Sequence, residues 1–400
     1  MFLYLVAELS AIGQVVGVLA PDIPTLPVLI VEGIVTTIYT SLGGFRVSFI
    51  TDNIQAVLIL LLLVIGVVCV AVETKIDSSL IEPSGLTHTS LLGWQLLYIL
   101  PVAILTNDFF LGQFWLRTFS SKTDKDLWIG VSLAAVITLA ILTLVGSTGL
   151  IAAWSGAYDF TDPESGGGSV AFFLLLEQLP QWVVGIVLVL VVSLSTAAFD
   201  SLQSAMVSGI SNDLFRNKLN IWWVRGGVIL LFIPVIILAL KAPSILQIYL
   251  ISDLVSSSTI PVLCLGLSDR FYWWRGFEVI VGGLGGLVTV WIFGTIYYGD
   301  AHEGAYLLLL ENGLYADDWS VFGAFVAAPV GGLLWGFGAL VLRLSCQWVY
   351  AKVKGHRFDA LDRPSHNNNR HASENEYDTS EEVHTDPAEV VVVVDKGKLW

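Results

Sequence analysis

Five carboxylates sit at least one helical turn inside long apolar runs of this sequence: Glu8, Glu32, Asp108, Asp200 and Asp253. An ionisable group at membrane depth is costly and is retained where it faces a partner, a cavity or a pathway. The chemistry open to it there is to bind and pass on cations, protons included. Around Asp200 the chain reads Ser193-Leu194-Ser195-Thr196-Ala197-Ala198-Phe199-Asp200-Ser201-Leu202-Gln203-Ser204. Ser193, Thr196, Asp200, Gln203 or Ser204, and Ser208 recur every three or four residues, the spacing of one helix face. Hydroxyl oxygens beside a carboxylate are hard ligands suited to sodium, so Ser193, Ser195, Thr196 and Asp200 are candidate cation ligands. The competing reading is that the hydroxyls bond their own i−4 carbonyls and let helices pack closely. Asn107, Asp108 and Gln113 in a second run, Asp253 in a third and Gln203 are candidates for a substrate pathway. Ser252-Asp253 and Ser256 to Thr259 precede Pro261, which predicts a local helix break that exposes carbonyls. Glu8 and Glu32 are expected to lie near an interface. No triad, phosphate loop, CxxC or His pair at ligand spacing is present, so neither an enzyme nor a cofactor is expected.

The elements that position these groups are membrane helices. Of 400 residues, 55% are hydrophobic and 13% charged, against about a quarter charged in soluble domains. That balance excludes a soluble enzyme, a nucleic-acid binder and a disordered scaffold. Apolar runs of about 20 residues, enough to span a bilayer, fall at 1–20, 27–44, 53–72, 91–116, 128–154, 183–210, 222–241, 245–267, 277–298 and 321–342. They are continuous and not alternating, which excludes a β-barrel. The expected fold is therefore an all-α polytopic bundle of about ten spans over residues 1–345. A disordered acidic cytoplasmic tail is expected over 346–400. Val170 to Leu179 is too short to span and reads as an interfacial or re-entrant helix. Glycine pairs at 282–283, 285–286 and 331–332 read as close helix contacts, and Gly43-Gly44 as a helix end. Trp94, Tyr98, Trp115 and Tyr272-Trp273-Trp274 read as interfacial aromatics. Cys69, Cys264 and Cys346 are odd in number and scattered, which suits packing and not a disulfide framework.

Basic residues orient the bundle. One set of alternate connections holds Lys75 and Lys241 alone. The other holds Arg46, Arg117, Lys122, Lys125, Arg216, Lys218, Arg225, Arg270 and Arg275. The second set is the cytoplasmic one by the positive-inside rule, and ten spans place both termini on that side. Ten of the acids behind the net charge of −15 lie after residue 355, which makes the C-terminal tail acidic.

Two stretches resemble the sodium:solute symporter family. Tyr39-Thr40-Ser41-Leu42-Gly43-Gly44 with Thr51-Asp52 and Gln55 is similar to its Tyr-Thr, Gly-Gly, Thr-Asp, Gln signature. Ser195-Thr196, closing in Asn212-Asp213-Leu214-Phe215, resembles its sodium helix, and Arg117 with Ser120-Ser121-Lys122 resembles a loop of that family. The resemblance covers about residues 1–345. It implies an inverted-repeat transporter with its site at midplane, and cation-coupled symport of a small polar solute in a plasma membrane. By that likeness Ser195 and Thr196 would bind sodium. Counted back from Asp213, the family's Ser-Thr place falls at Ala197-Ala198, and Asp200 is an addition that suits proton coupling. Sodium and proton both stay open. Phe49-Ile50-Thr51-Asp52 resembles the urea and polyamine branch. The likeness also implies that three helices ahead of residue 1 are missing, so that a protein partner would cover an incomplete site. A non-transporting remnant or regulatory membrane protein is the alternative.

Overall fold

The computed structural model describes residues 1–158, 167–241, 245–311, 318–358 and 360–362. The tail beyond 362 and the polar stretch 159–166 lie outside the described residues, and for residues 42–49 only the backbone is described. The elements are α1 (Phe2–Leu19), α2 (Thr25–Glu73), α3 (Leu91–Phe110), α4 (Gly112–Phe119), α5 (Asp124–Trp154), α6 (Ala171–Glu177), α7 (Gln181–Gly209), α8 (Ile221–Lys241), α9 (Ile245–Leu267), α10 (Gly276–Tyr298), α11 (Ala301–Leu308) and α12 (Ser320–Lys354). Among the described residues there is no strand, and nine helices are long and apolar enough to cross a membrane. The chain is an all-α polytopic membrane protein.

Local signals start and stop these helices. Ser90 caps α3 by accepting from the Gly93 amide, and Thr123 caps α5 by accepting from the Asp126 amide, as N-cap hydroxyls do. Asp124 and Asp126 lie in the first turn of α5, where acids suit the helix dipole. Helices α10 and α12 end on Gly299 and Gly355 at φ +75° and +68°, left-handed positions that glycine takes without strain.

The bundle packs in two groups. In the first, α1 lies against α2, α6, α7, α8 and α9. Leu5, Leu9, Ile12 and Val16 of α1 meet Val183, Val187 and Leu190 of α7 in one apolar core. In the second, α9, α10 and α12 pack on one another, with α3 and α11 alongside. The glycine pairs fit that expectation. A Cβ on Gly282 would stand 2.8 Å from the Gly332 carbonyl oxygen, and one on Gly332 would stand 2.4 Å from that of Ser258. Helix α9 touches both groups, and α5 has only Ala152 and Ala153 buried.

Several sequence expectations are corrected. Runs 27–44 and 53–72 belong to one 49-residue helix, so Gly43-Gly44 ends nothing. At 1.5 Å per residue that helix is about 74 Å long, more than twice the roughly 30 Å hydrocarbon core. Only Ile50–Glu73 of it is a candidate span. Run 91–116 is two helices, broken at Leu111 in extended conformation. Pro261 does not break α9. Helix α6 is short as expected, but Leu175 and Leu176 are fully buried, so it is wedged in the core and not laid on an interface. Trp274 is buried beside Val262 and Leu340 and is no interfacial anchor, whereas Trp94 is exposed. Cys264 and Cys346 are exposed and only Cys69 is half-buried. Helix α12 runs to Lys354, so the first residues of the expected tail are helical.

Candidate functional site

The polar residues fall into two clusters on the faces of α2, α3, α7 and α9. The first joins α7 to α2. Asp200 is fully buried and accepts from Thr51 Oγ1 (3.2 Å) and from Ser201 Oγ (3.2 Å). Ser201 Oγ lies 3.4 Å from Asp52 Oδ1, so one hydroxyl stands between two carboxylates. Gln203 Nε2 donates to Thr37 Oγ1 at 2.7 Å. Thr51 and Asp52 of the family-like signature therefore meet the polar helix directly, a juxtaposition that the two motifs read separately did not reveal. Gln55 is buried. Gly43 and Gly44 lie where only the backbone is described. Asn212, Asp213 and Leu214 form a π-turn that closes α7, and such turns recur at functional sites.

The polar stripe of α7 divides. Ser193 Oγ donates to the Val189 carbonyl (2.9 Å) and Thr196 Oγ1 to that of Val192 (2.8 Å), which is the i−4 bonding set against ligand duty. Ser195 behaves differently. It is buried at 6% exposure, its hydroxyl faces Glu32 of α2, and among the described residues it makes no hydrogen bond of normal geometry. Glu32 is itself buried at 6% exposure, and among the described residues neither carboxylate oxygen makes a hydrogen bond of normal geometry. The expectation of a place near an interface fails for Glu32, because α2 lays it inward against α7.

The second cluster lies where α1, α3 and α9 meet. Asn107 of α3 is buried, and its Nδ2 donates to Asp253 Oδ1 of α9 and, at 2.6 Å, to Tyr4 Oη of α1. Ser256 Oγ donates to Asn107 Oδ1 at 3.2 Å. Tyr249 Oη donates to Glu8 Oε1 at 3.1 Å, and the Tyr4 and Tyr249 rings meet edge to face at 5.1 Å. Asp108 is exposed yet lies within electrostatic reach of Tyr4 and Asp253, at the edge of this cluster, whereas Gln113 stands half-buried on α4. Sequence reasoning missed Tyr4 and Tyr249. A signal was available: Tyr4 precedes Glu8 by four residues and Tyr249 precedes Asp253 by four, the spacing of one helix face.

The break at Leu111 positions Asn107 one turn before the end of α3. Trp115 Nε1 donates to the Phe109 carbonyl at 2.9 Å, satisfying one acceptor freed by the break. A small cavity between α10, α11 and α12, lined by Tyr298, Glu303, Tyr306, Glu311 and Ser320, is separate from both clusters.

The arrangement thus offers carboxylates, hydroxyls and ring faces in the bundle interior. No basic side chain lies within ion-pair distance of Glu8, Glu32 or Asp253 among the described residues. Such a lining suits cationic solutes. No family model matches this chain. The chain is similar to a protein described as spermidine transporter DUR31 of Candida albicans, at 55% identity over 367 residues, covering 91% of this chain and 70% of that protein.

Proposed function

This chain belongs to the family of the spermidine transporter DUR31 of Candida albicans, and from that premise we propose that it carries an aliphatic polyamine across a membrane by cation-coupled symport. Transport of a small solute is the family's activity. The observation that supports a polycation as the solute is the set of interior carboxylates Glu8, Glu32 and Asp253, which have no basic partner among the described residues. Uncompensated buried charge is strongly unfavourable, and a positively charged solute relieves it where neutral urea does not. Uptake of labelled spermidine by cells that express the chain and lack their own polyamine uptake tests the reading. Uptake no higher than in empty-vector cells sinks it.

Ser195 is our candidate for the coupling cation, with sodium or a proton as the ion, because its hydroxyl is the one in the Ser195-Thr196 pair not spent on its own helix. Ser195→Ala is expected to shift the cation concentration for half-maximal uptake by about tenfold, the loss of one charge-assisted contact of roughly 1.4 kcal/mol or more. Thr196→Ala should leave it unchanged. Equal shifts in both variants, or none in Ser195→Ala, would remove Ser195 from that role.

In this reading the C-terminus lies on the cytoplasmic side of a plasma membrane; ten crossings would place the N-terminus there too, whereas the nine candidate spans among the described residues place it on the opposite side. The basic connections after α4, α7 and α9 and the end of α12 all fall on one side whichever way α2 is counted. The N-terminal side depends on whether the first half of α2 crosses. Membrane-impermeant thiol labelling of a cysteine placed at Phe2, the first residue of α1, reports that crossing: labelling of intact cells contradicts a cytoplasmic N-terminus.

A further inference from the structure

The two carboxylate groups around Tyr4 and Tyr249 are not interchangeable parts of one patch. Glu32 of α2 and Glu8 of α1 lie within electrostatic reach of each other. Asp253 of α9 is held by Asn107 of α3, with Asp108 within electrostatic reach of it. The contacts therefore run from Glu8 to the Tyr249 hydroxyl, across the ring contact to Tyr4, and from the Tyr4 hydroxyl through Asn107 to Asp253.

We infer that this seam is a two-pole polyamine site, in which Glu8 and Glu32 take one ammonium group, Asp253 with Asn107 takes another, and the Tyr4–Tyr249 pair lies along one side of the methylene chain between them. The inference rests on the transport reading above and names the residues that would read its solute.

Three features carry it. Glu32 is 6% exposed, and among the described residues the donor that faces it is the Ser195 hydroxyl, with no hydrogen bond of normal geometry to either oxygen, although a buried carboxylate ordinarily collects donors. An ammonium supplies three donors and the missing charge at once. Next, the two tyrosine rings stand between the contacts of Glu8 and those of Asp253, with their hydroxyls turned to Glu8 and to Asn107. The complementary ligand has charges separated by apolar carbon, which is the build of an aliphatic polyamine. A single small cation neutralises one pole alone. Finally, an edge-to-face tyrosine pair presents a ring face to one side, and ring faces attract ammonium groups as well as methylenes.

The test is equilibrium binding of labelled spermidine to the purified full chain in lipid nanodiscs, with putrescine as the shorter diamine competitor. Glu32→Gln and Asp253→Asn are each expected to raise the spermidine Kd roughly tenfold, the loss of one charged hydrogen-bonded contact. Asp253→Asn should also bring the affinities for spermidine and putrescine together, because one pole then binds either ligand alike. Glu73→Gln, an exposed acid at the end of the same helix as Glu32, should bind as wild type does. Glu8→Gln reads the same pole should Glu32→Gln fail to accumulate. Wild-type Kd in folded Glu32→Gln and Asp253→Asn overturns the site, as does a Glu32→Gln effect on sodium dependence alone. Binding by the wild-type chain without uptake in cells leaves the site standing and removes the transport reading. Uptake with unaltered binding in the variants does the reverse.

Discussion

Gly286→Leu is expected to abolish the folded α9–α10–α12 pack. A Cβ at this position would stand 2.1 Å from Ser258 Oγ and 2.6 Å from the Ala328 carbonyl oxygen. The hydroxyl has little room to yield, since it donates to the Gly283 carbonyl at 2.5 Å. The carbonyl is backbone of α12 and moves only with its helix. Overpacking a close-packed interior costs about 3 kcal/mol when neighbours must shift, and in a membrane no hydrophobic drive between helices repays it. The displacement also reaches the site, because α9 carries Tyr249 and Asp253 on the same rigid rod. The expected result is a loss of the monodisperse peak in detergent size-exclusion chromatography, or a melting midpoint many degrees lower. Gly338→Leu is the matched control on α12, with nothing within 4 Å of its Cβ position. It should stay within about 0.5 kcal/mol of wild type, as exposed substitutions do. A wild-type melting midpoint in Gly286→Leu would show that the contact does not hold these helices together.

The glycine contacts were legible in the sequence because small residues in apolar helices have one common use. So were most spans, from run length alone. The continuity of α2 was not. Two glycines and the charged Arg46 inside the stretch read as a turn, yet a Gly pair costs only about 2 kcal/mol in a helix, and Thr51 and Asp52 gain by being held in helical register against Ser201 and Asp200. The break at Leu111 was equally hidden. No proline marks it, and the close approach at Gly112, where a Cβ would stand 2.6 Å from Met1 Cε, involves a residue 111 positions away.

For the candidate site, residue types were readable and partners were not. Asp253, Asn107 and Asp200 stood out as polar groups in apolar runs, and Asp200 and Asn107 are indeed buried. What joins Asn107 to Asp253 is a contact between residues 146 apart, fixed by helix packing. The α7 stripe shows the limit of periodicity. Ser193 and Ser195 are two apart, and only Ser195 turns to Glu32, while Ser193 bonds its own helix. Spacing placed the hydroxyls on a helix, but the position of α2 decided which one had an unpaired carboxylate opposite it.

Glu278→Ala is expected to destabilise the same helical pack by about 3–5 kcal/mol, the cost of leaving one member of a buried ion pair alone. Glu278 is fully buried and Arg343 is 11% exposed, and Arg343 Nε donates to Glu278 Oε1. The carboxylate does two jobs, for its Oε2 also accepts from the Arg275 amide (2.9 Å) at the start of α10. The guanidinium likewise reaches the Trp273 carbonyl at 2.5 Å. Removing the acid therefore frees a helix-start amide and strands a cation between α10 and α12. Glu278→Gln keeps the volume and an acceptor for the amide, so it should cost less than Glu278→Ala. Arg343→Met removes the stranded charge. Combined with Glu278→Ala, it should recover part of the loss, so the double variant falls short of the summed single effects. Thermal unfolding of the four proteins in one detergent measures the coupling. Strict additivity would mean that the pair contributes nothing beyond its separate contacts, and the close approach of α10 and α12 would then rest on the glycines alone.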